Sequence, residues 1–383
     1  MFGTLTLVVV AGLLGPALAA GRSGRIPVVV GQIAGGVLIG RTGLHLVDPA
    51  AQPLPAFHDL GFAMLMLSAG THIDLRDPGL RRGLPRGALA LAVTAVLAVA
   101  AGAGLAHALG VGRAPLLAVL LAGSSAAIAF PIIVERRLSG ETVSLLMGWL
   151  AVADSTTVVV MPITLGGSVA VARALTGDLA IVAAGLALYA AARWAAAHPL
   201  TGRLQARSLS RGWALQLRLS LLLLLVLGTI AEKTGASTLV AGFVAGIALR
   251  QLREPERLEV QLSGVGNGFF VPAFFVLLGA ELDLGAMLTD RRALLLAAGM
   301  GLLAVAAHLG GAFVAASRQR LALGLAASAQ LGLPAAAASL GAQTHTLSPA
   351  IAAALVAGAC LTLVPAVVGM NRLAAALVAP SPG

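Results

Sequence analysis

The sequence predicts an all-α polytopic membrane protein, and three observations carry that prediction. The chain has 383 residues, of which 58% are hydrophobic and only 10% are charged, whereas a soluble domain carries about 25% charged residues. Its apolar runs are long enough for transmembrane helices, which need about 20 residues each. These runs are continuously apolar and lack the alternation of a membrane β-barrel, so helices are favoured over strands.

Thirteen apolar segments are predicted to cross the membrane, with centres near residues 11, 34, 64, 98, 125, 154, 186, 223, 242, 273, 304, 331 and 362. If the N-terminus lies outside, 19 of the 25 Lys and Arg residues fall in cytoplasmic loops or the C-terminal tail, and 6 fall in outer loops. The positive-inside rule explains this separation and places the C-terminus inside. The same rule accounts for the net charge of +10, so no nucleic-acid partner is expected.

Short glycine motifs recur in the same order in the two halves of the chain. Segment 2 contains Gly31-Gln-Ile-Ala-Gly35 and segment 9 contains Gly242-Phe-Val-Ala-Gly246; segment 3 ends in Gly70-Thr-His-Ile-Asp-Leu75 and segment 10 in Gly279-Ala-Glu-Leu-Asp-Leu284. The spacing between the paired motifs is similar. Segments 1–6 therefore match segments 8–13, with segment 7 between them.

An odd linker helix forces the second half to insert upside down, which is a common plan of secondary transporters. The predicted division is a first six-helix repeat over 1–177, a linker helix over 178–198 and a second, inverted six-helix repeat over 199–383. Such transporters often interrupt a helix at corresponding positions of both halves. Segment 5 (Leu121 to Pro131) and segment 12 (Ser328 to Pro334) each combine small polar residues, Gly and Pro, which favours broken helices over two ordinary kinks.

Asp154 is the candidate ion-binding residue because it is the acid that stands in the middle of a long apolar run. A carboxylate at the bilayer centre costs roughly 2.5–3.5 kcal/mol, so such residues normally face a cavity and have a function. We expect Asp154 to bind an alkali cation or a proton, with hydroxyl oxygens from Ser124, Ser125 and Ser155. The alternative is a structural carboxyl that is hydrogen-bonded to a neighbouring helix.

His308 lies deep in segment 11 and is a second candidate. Histidine titrates near neutral pH when unperturbed, so His308 is expected to modulate the charge of the site, either by pairing with Asp154 in one protonation state or by lining the cavity. The alternative is a core histidine bonded to a backbone carbonyl. The sequence contains no nucleotide-binding loop, zinc-ligand spacing or Ser-nucleophile elbow, so neither an enzyme nor a cofactor is expected.

Four blocks of the chain resemble bacterial cation:proton antiporters of the Kef and Nap kind. They are Arg25 to Gly40, Leu60 to Leu75, Gly235 to Gly246 and Phe269 to Gly279. Each block is similar to its own counterpart in that family, and the blocks occur in the family's order along nearly the whole chain.

The resemblance implies an NhaA/NapA-like antiporter fold of 13 helices, with discontinuous helices in segments 5 and 12 that cross each other. It implies a transport core over about 87–166 and 292–376, a dimerisation domain from the rest, a homodimer and elevator-type transport. Asp154 aligns with the family's essential aspartate, and Ser124 and Ser125 fall at the break in segment 5.

The chain departs from the family's pattern at three places. Ala153 stands where the family usually has Asp, Asn or Gln, His308 stands where it usually has Lys or Arg, and Leu331-Gly-Leu333 replaces an Arg-Gly-Glu-like signature. The resemblance implies a monovalent cation:proton antiporter of the bacterial cytoplasmic membrane, which exchanges Na⁺ or K⁺ for H⁺ at one buried aspartate. The departures leave a non-transporting membrane sensor or scaffold as an alternative, and a cation channel is a third reading.

Overall fold

The computed structural model describes residues 2–20, 27–125, 129, 133, 138–165, 168–196, 198–234, 238–251 and 256–378, and their regular elements are helices. In chain order the α-helices are α1 (Phe2–Gly12), α2 (Leu14–Ala19), α3 (Val28–Ile39), α4 (Leu54–Thr71), α5 (Pro78–Leu109), α6 (Ala114–Ala122), α7 (Glu141–Leu165), α8 (Ser168–Ala196), α9 (Pro199–Arg211), α10 (Leu215–Thr234), α11 (Thr238–Gln251), α12 (Glu256–Val265), α13 (Val271–Glu281), α14 (Leu284–Thr289), α15 (Arg291–Ala315), α16 (Arg320–Ala327), α17 (Gly332–Gln343) and α18 (Pro349–Val378). A π-helical turn, Gly266–Phe270, joins α12 to α13.

The all-helical membrane class predicted from the sequence is confirmed. Within the described residues, nine helices or helix pairs are long and apolar enough to cross a membrane. Two shorter apolar helices, α3 and α11, add to these. The count of thirteen crossings and the inverted repeat stay predictions.

The chain divides into two units. The first consists of Met1–Pro55, Arg76–Leu165 and Phe275–Gly383, and the second of Ala56–Leu75 and Gly166–Phe274. The expected transport-core ranges, 87–166 and 292–376, and the expected repeat boundaries are not tested by this division and stay predictions.

In the first unit, glycines bring α5 and α7 into backbone contact. A Cβ placed on Gly83 of α5 would overlap the Ser144 carbonyl of α7, and one placed on Gly148 of α7 would overlap the Gly83 carbonyl. Gly87 lies in the same way against the backbone of Trp149. Small residues at an interface allow such close approach of membrane helices, and here they fix the part of α7 that carries Trp149 and Asp154.

Glycines also join α3 to α13 in the first unit. Gly36 lies against the Val276 carbonyl, and Gly279 lies against the Ile33 carbonyl. The Thr42 hydroxyl closes the end of this pair, because it donates to Leu282 O (2.7 Å) and accepts from Leu284 N (3.0 Å).

The second unit contains a similar glycine-mediated pair. Gly70 of α4 lies against the Phe243 carbonyl, and Gly246 of α11 lies against the Leu67 carbonyl. Beyond the glycines, Arg250 forms an ion pair with Asp74 at 3.4 Å. The glycine motifs of the sequence thus mark helix contacts in both units.

Helix ends in the first unit are closed by acidic caps. The Asp77 carboxylate accepts from Gly79 N (2.7 Å) at the start of α5, and the Asp290 carboxylate accepts from Arg292 N (2.8 Å) at the start of α15. Each cap satisfies an amide that has no partner in the first turn of its helix.

We expect Gly83→Ala to destabilise the protein by about 1–3 kcal/mol, because the added methyl group meets the Ser144 carbonyl and forces α5 and α7 apart. Gly104→Ala in the same helix is the matched control, since no atom lies within 4 Å of a Cβ at that position. Thermal unfolding of the detergent-solubilised proteins measures the difference. Equal unfolding temperatures for the two variants would contradict the close packing of α5 on α7.

Candidate ion-binding site

Two helices of the first unit are interrupted near each other. Helix α6 ends at Ala122, and Gly123 continues in an extended conformation with φ −66° and ψ 150°. Helix α16 ends at Ala327, and α17 starts only at Gly332. These interruptions occur where the sequence predicts breaks in segments 5 and 12, although part of the first segment, up to Pro131, lies outside the described residues.

Gln330 connects the two interruptions. Its side-chain amide donates to Leu121 O (3.1 Å) and to Gly123 O (3.0 Å). Its backbone N–H donates to the Thr362 hydroxyl at 3.0 Å, and that hydroxyl donates to Ala359 O at 2.7 Å. The last carbonyls of a helix have no partner within it, so Gln330 satisfies acceptors that the end of α6 exposes.

Ser124 and His308 meet at the same place. The Ser124 hydroxyl lies 2.8 Å from Ala327 O, at the end of α16, and 3.1 Å from His308 Nε2. His308 Nδ1 lies 2.8 Å from Ala304 O, one turn earlier in α15. The structure therefore brings two of the predicted site residues into direct contact.

The protons of this chain of contacts can be counted. A carbonyl only accepts, so His308 Nδ1 carries the proton that it donates to Ala304 O. The single Ser124 hydroxyl proton then points either to Ala327 O or to a neutral His308 Nε2. All three contacts are hydrogen bonds at once only when Nε2 is protonated and donates to Ser124, which is the imidazolium form.

His308 is held by its surroundings and is completely buried. Its ring stacks on Trp149 of α7, with centroids 5.5 Å apart and planes 20° apart. The two ring nitrogens contact Ser124 and Ala304, and the expected pairing of His308 with Asp154 stays a prediction. His308 therefore has the bond to a backbone carbonyl that the alternative reading expected, and it contacts Ser124 as well.

Asp154 lies in α7, five residues after Trp149, which is about 7.5 Å along the helix axis. It is 9% exposed, and its neighbours Ala153 and Thr157 are also buried. The Thr157 hydroxyl donates to Ala153 O at 2.7 Å, in the backbone-bonding pattern of hydroxyls inside helices. The expected acid is therefore inside the protein, on a helix fixed by close packing.

The other two predicted oxygen donors differ in burial. Ser125 is 8% exposed and follows Ser124 at the interruption after α6. Ser155 is half-buried, and its hydroxyl donates to Ala151 O at 2.7 Å. This bond uses the hydroxyl proton and leaves oxygen lone pairs, which is what a cation ligand needs. The roles of Ser124, Ser125, Ser155, Asp154 and His308 in ion binding stay predictions.

Several buried polar residues were missed by the sequence analysis. Thr362 supports Gln330, and the fully buried Thr94 of α5 donates to Ala90 O at 2.8 Å, while Ala307 O of α15 lies 3.4 Å from the same hydroxyl. Asp178 of α8, in the second unit, is a second buried acid, 3% exposed. The signal for Asp178 was its position within the apolar stretch of α8, which the predicted repeat boundary at 177/178 obscured. Single threonines in apolar helices give no comparable signal.

We expect Gln330→Met to destabilise the protein by roughly 2–4 kcal/mol, because the variant leaves the Leu121 and Gly123 carbonyls buried without a donor. Gln343→Met, at the exposed end of α17, makes the same chemical change and should be close to neutral. Thermal unfolding compares the two variants. A Gln330→Met protein as stable as Gln343→Met would show that the interruption does not depend on this amide.

The fold and the site define a multi-pass helical membrane protein whose first unit is built around two interrupted helices. The profile of the family described as "Sodium/hydrogen exchanger, transmembrane" matches residues 7–372. The chain therefore belongs to the sodium/hydrogen exchanger family, which confirms the resemblance seen in the sequence.

Individual relatives agree with this assignment. YjbQ of Bacillus subtilis is 27% identical over 381 residues, which cover 92% of this chain and 60% of YjbQ, so the chain spans about 60% of the length of that relative. The Na⁺/H⁺ antiporter of Enterococcus hirae is 25% identical over 73% of each chain. The high-affinity Na⁺/H⁺ antiporter NhaS3 of Synechocystis sp. is 25% identical, over 87% of this chain and 81% of its own.

A solved structure has the same fold. The sodium proton antiporter MjNhaP1 of Methanocaldococcus jannaschii superimposes with a TM-score of 0.66 over 99% of both chains, at 18% sequence identity. At this identity the similarity establishes the fold alone.

Proposed function

We propose that the protein exchanges Na⁺ for H⁺ across the bacterial cytoplasmic membrane, with Asp154 as the residue that holds each ion in turn. The observation that carries the proposal is a buried carboxylate, 9% exposed, in a chain of the sodium/hydrogen exchanger family. A carboxylate that binds a cation has a lower affinity for a proton, and a protonated carboxyl group binds a cation weakly. Competition at one group therefore couples the two ions.

Oxygen atoms near the helix interruptions are proposed to complete the cation site. Carbonyls of unwound helices and the ends of half-helices coordinate Na⁺ in other transporters. Here Ser124, Ser125 and Ser155 supply hydroxyl oxygens in addition. The donors suit K⁺ as well as Na⁺, and the Na⁺ preference proposed here follows the names of the relatives from Enterococcus and Synechocystis.

Alternating access is proposed to follow the elevator scheme, with 13 crossings in two inverted repeats, the N-terminus outside, the C-terminus inside and a homodimeric scaffold. Two features support the repeat. Segments 2 and 10 pair through Gly36 and Gly279, as segments 9 and 3 pair through Gly246 and Gly70. The interruptions after Ala122 and after Ala327 are likewise related by the repeat.

We expect Asp154→Asn to abolish Na⁺-dependent proton movement in proteoliposomes, because an amide neither ionises nor neutralises a bound cation. Asp48→Asn, which makes the same change at an exposed position, should retain full exchange. A pH-sensitive dye inside the vesicles reports transport in a Na⁺, K⁺ and Li⁺ series. Exchange by Asp154→Asn would refute the role of this residue.

Inactivity of the unmodified protein towards all three ions would favour the sensor or scaffold, and ion currents without proton coupling would favour a channel.

We expect His308→Gln to weaken the pH dependence of the apparent KM for Na⁺. Protonation of His308 during the cycle would add positive charge that opposes the cation, so this contribution raises the apparent KM as the pH falls. Glutamine stays neutral and removes this contribution, whereas His308→Lys keeps a positive charge and should raise the apparent KM even at alkaline pH. Initial rates of exchange across a pH series measure the effect, and identical pH profiles for all three proteins would show that His308 carries no charge during the cycle.

A further inference from the structure

A strongly basic stretch of the second unit is not used by the exchange mechanism. Residues 179–231 contain five arginines and no Asp or Glu. All five are exposed: Arg193 at the end of α8, Arg203, Arg207 and Arg211 in α9, and Arg218 in α10. The stretch itself therefore carries exposed positive charge and no acid.

Helix α9 has the form of a helix at a membrane surface. Its arginines recur every four residues, and the exposed Leu200 and Leu204 lie on the same side. In a helix that lies in the headgroup region of a bilayer, arginines contact the lipid headgroups and exposed leucines reach the acyl boundary.

Aromatic residues flank α9 at both ends, as they do at membrane–water interfaces. Trp194 precedes the helix and is 68% exposed, and Trp213 follows it and is 41% exposed. The Arg211 guanidinium lies over the Trp213 ring, 5.5 Å from its centroid. Two of the three tryptophans of the chain thus stand next to the two ends of this helix.

The neighbouring side of α9 faces a cavity of about 560 Å³ that lies entirely within the second unit. Residues of α8 and α10 form most of its wall, with several alanines and leucines among them, and α9 contributes Thr201, Gln205 and Ser208. The volume falls within the range of about 300–1,000 Å³ that holds small-molecule ligands. An apolar space with a polar edge fits an amphiphile.

Two arginines adjoin residues that line this cavity. Tyr189, the one tyrosine of the chain, lines the cavity and its side chain hydrogen-bonds to Arg193. On α10, Arg218 stands between the lining residues Gln216 and Leu219. A ligand with an apolar tail in the cavity would place an anionic head between these arginines.

We propose that this cavity binds an anionic phospholipid, with an acyl chain between α8 and α10 and its phosphate at Arg193, Tyr189 and Arg218. The arginines of α9 contact the surrounding anionic headgroups. A second copy of the chain is a poor occupant, because a two-fold interface over α9 would place Arg203, Arg207 and Arg211 against like charges. Basic residues next to a membrane are attracted to anionic lipids, and this accounts for five arginines in a stretch without an acid.

Thermal unfolding of the detergent-solubilised protein, titrated with phosphatidylglycerol, tests the proposal. Phosphatidylglycerol should raise the unfolding temperature more than phosphatidylcholine does, and inorganic phosphate should have little effect. The surface variant Arg193→Gln/Arg218→Gln should bind phosphatidylglycerol about 30-fold more weakly, because each basic residue contributes about a factor of five. Arg81→Gln/Arg82→Gln removes the same charge from an exposed part of α5 and should bind normally.

A cavity-filling variant tests the acyl-chain site separately. Ala192→Trp places an indole in the cavity and should remove the stabilisation by phosphatidylglycerol, whereas Ala190→Trp, at an exposed position that does not line the cavity, should keep it. Native mass spectrometry counts bound lipids and copies of the chain. Equal effects of the two lipids, the full effect with inorganic phosphate, or equal loss in both arginine pairs would overturn the proposal. Loss of a dimer in Ala192→Trp with unchanged lipid binding would instead identify the cavity as an interface between copies.

Discussion

The requirement that backbone polar groups be satisfied inside a bilayer governs the first unit. Water does not reach a hydrocarbon core, so an interrupted helix needs partners from neighbouring helices. The interruption after α6 finds them in the Gln330 amide, and the last carbonyl of α16 lies next to the Ser124 hydroxyl. Each broken helix is therefore stabilised by the other, and the polar groups that we propose for ion binding are assembled as a consequence.

Much of this fold follows from the sequence. Long apolar runs predict the helices, because only helices and closed barrels satisfy the backbone in lipid and these runs lack the alternation of a barrel. The Gly, Ser and Pro clusters near residues 123 and 330 locate the interruptions, and the glycine motifs locate helix contacts in both units. These features depend on residues that are close together in the chain, so a single sequence is enough to predict them.

The arrangement of the candidate site depends on contacts that the sequence does not express. Ser124 and His308 are 184 residues apart, and nothing in either segment shows that the imidazole meets this hydroxyl. Gln330 lies within an apolar segment, but the two carbonyls that accept from its amide are known only from the geometry of the breaks. The contact between Gly83 and Ser144 lies outside the glycine motifs. A pattern of apolar residues does not predict it, because the contact depends on the missing side chain of Gly83.

A histidine in place of a fixed cation has a consequence for the proposed cycle, because its ring has a neutral form. With His308 neutral, a site with Na⁺ on ionised Asp154 has no net charge, and a site with protonated Asp154 also has none. The empty, ionised site has a charge of −1. Moving that charge through the bilayer costs at least about 2.5–3.5 kcal/mol more than moving a neutral site, a factor of roughly 100 in rate. Both loaded forms would cross easily and the empty form would not, which is the condition for coupled exchange.

A lysine at 308 would offset the empty site's charge and place a positive charge on both loaded forms. The residue at this position therefore determines which forms of the core are neutral, and through that how tightly the two ions are coupled.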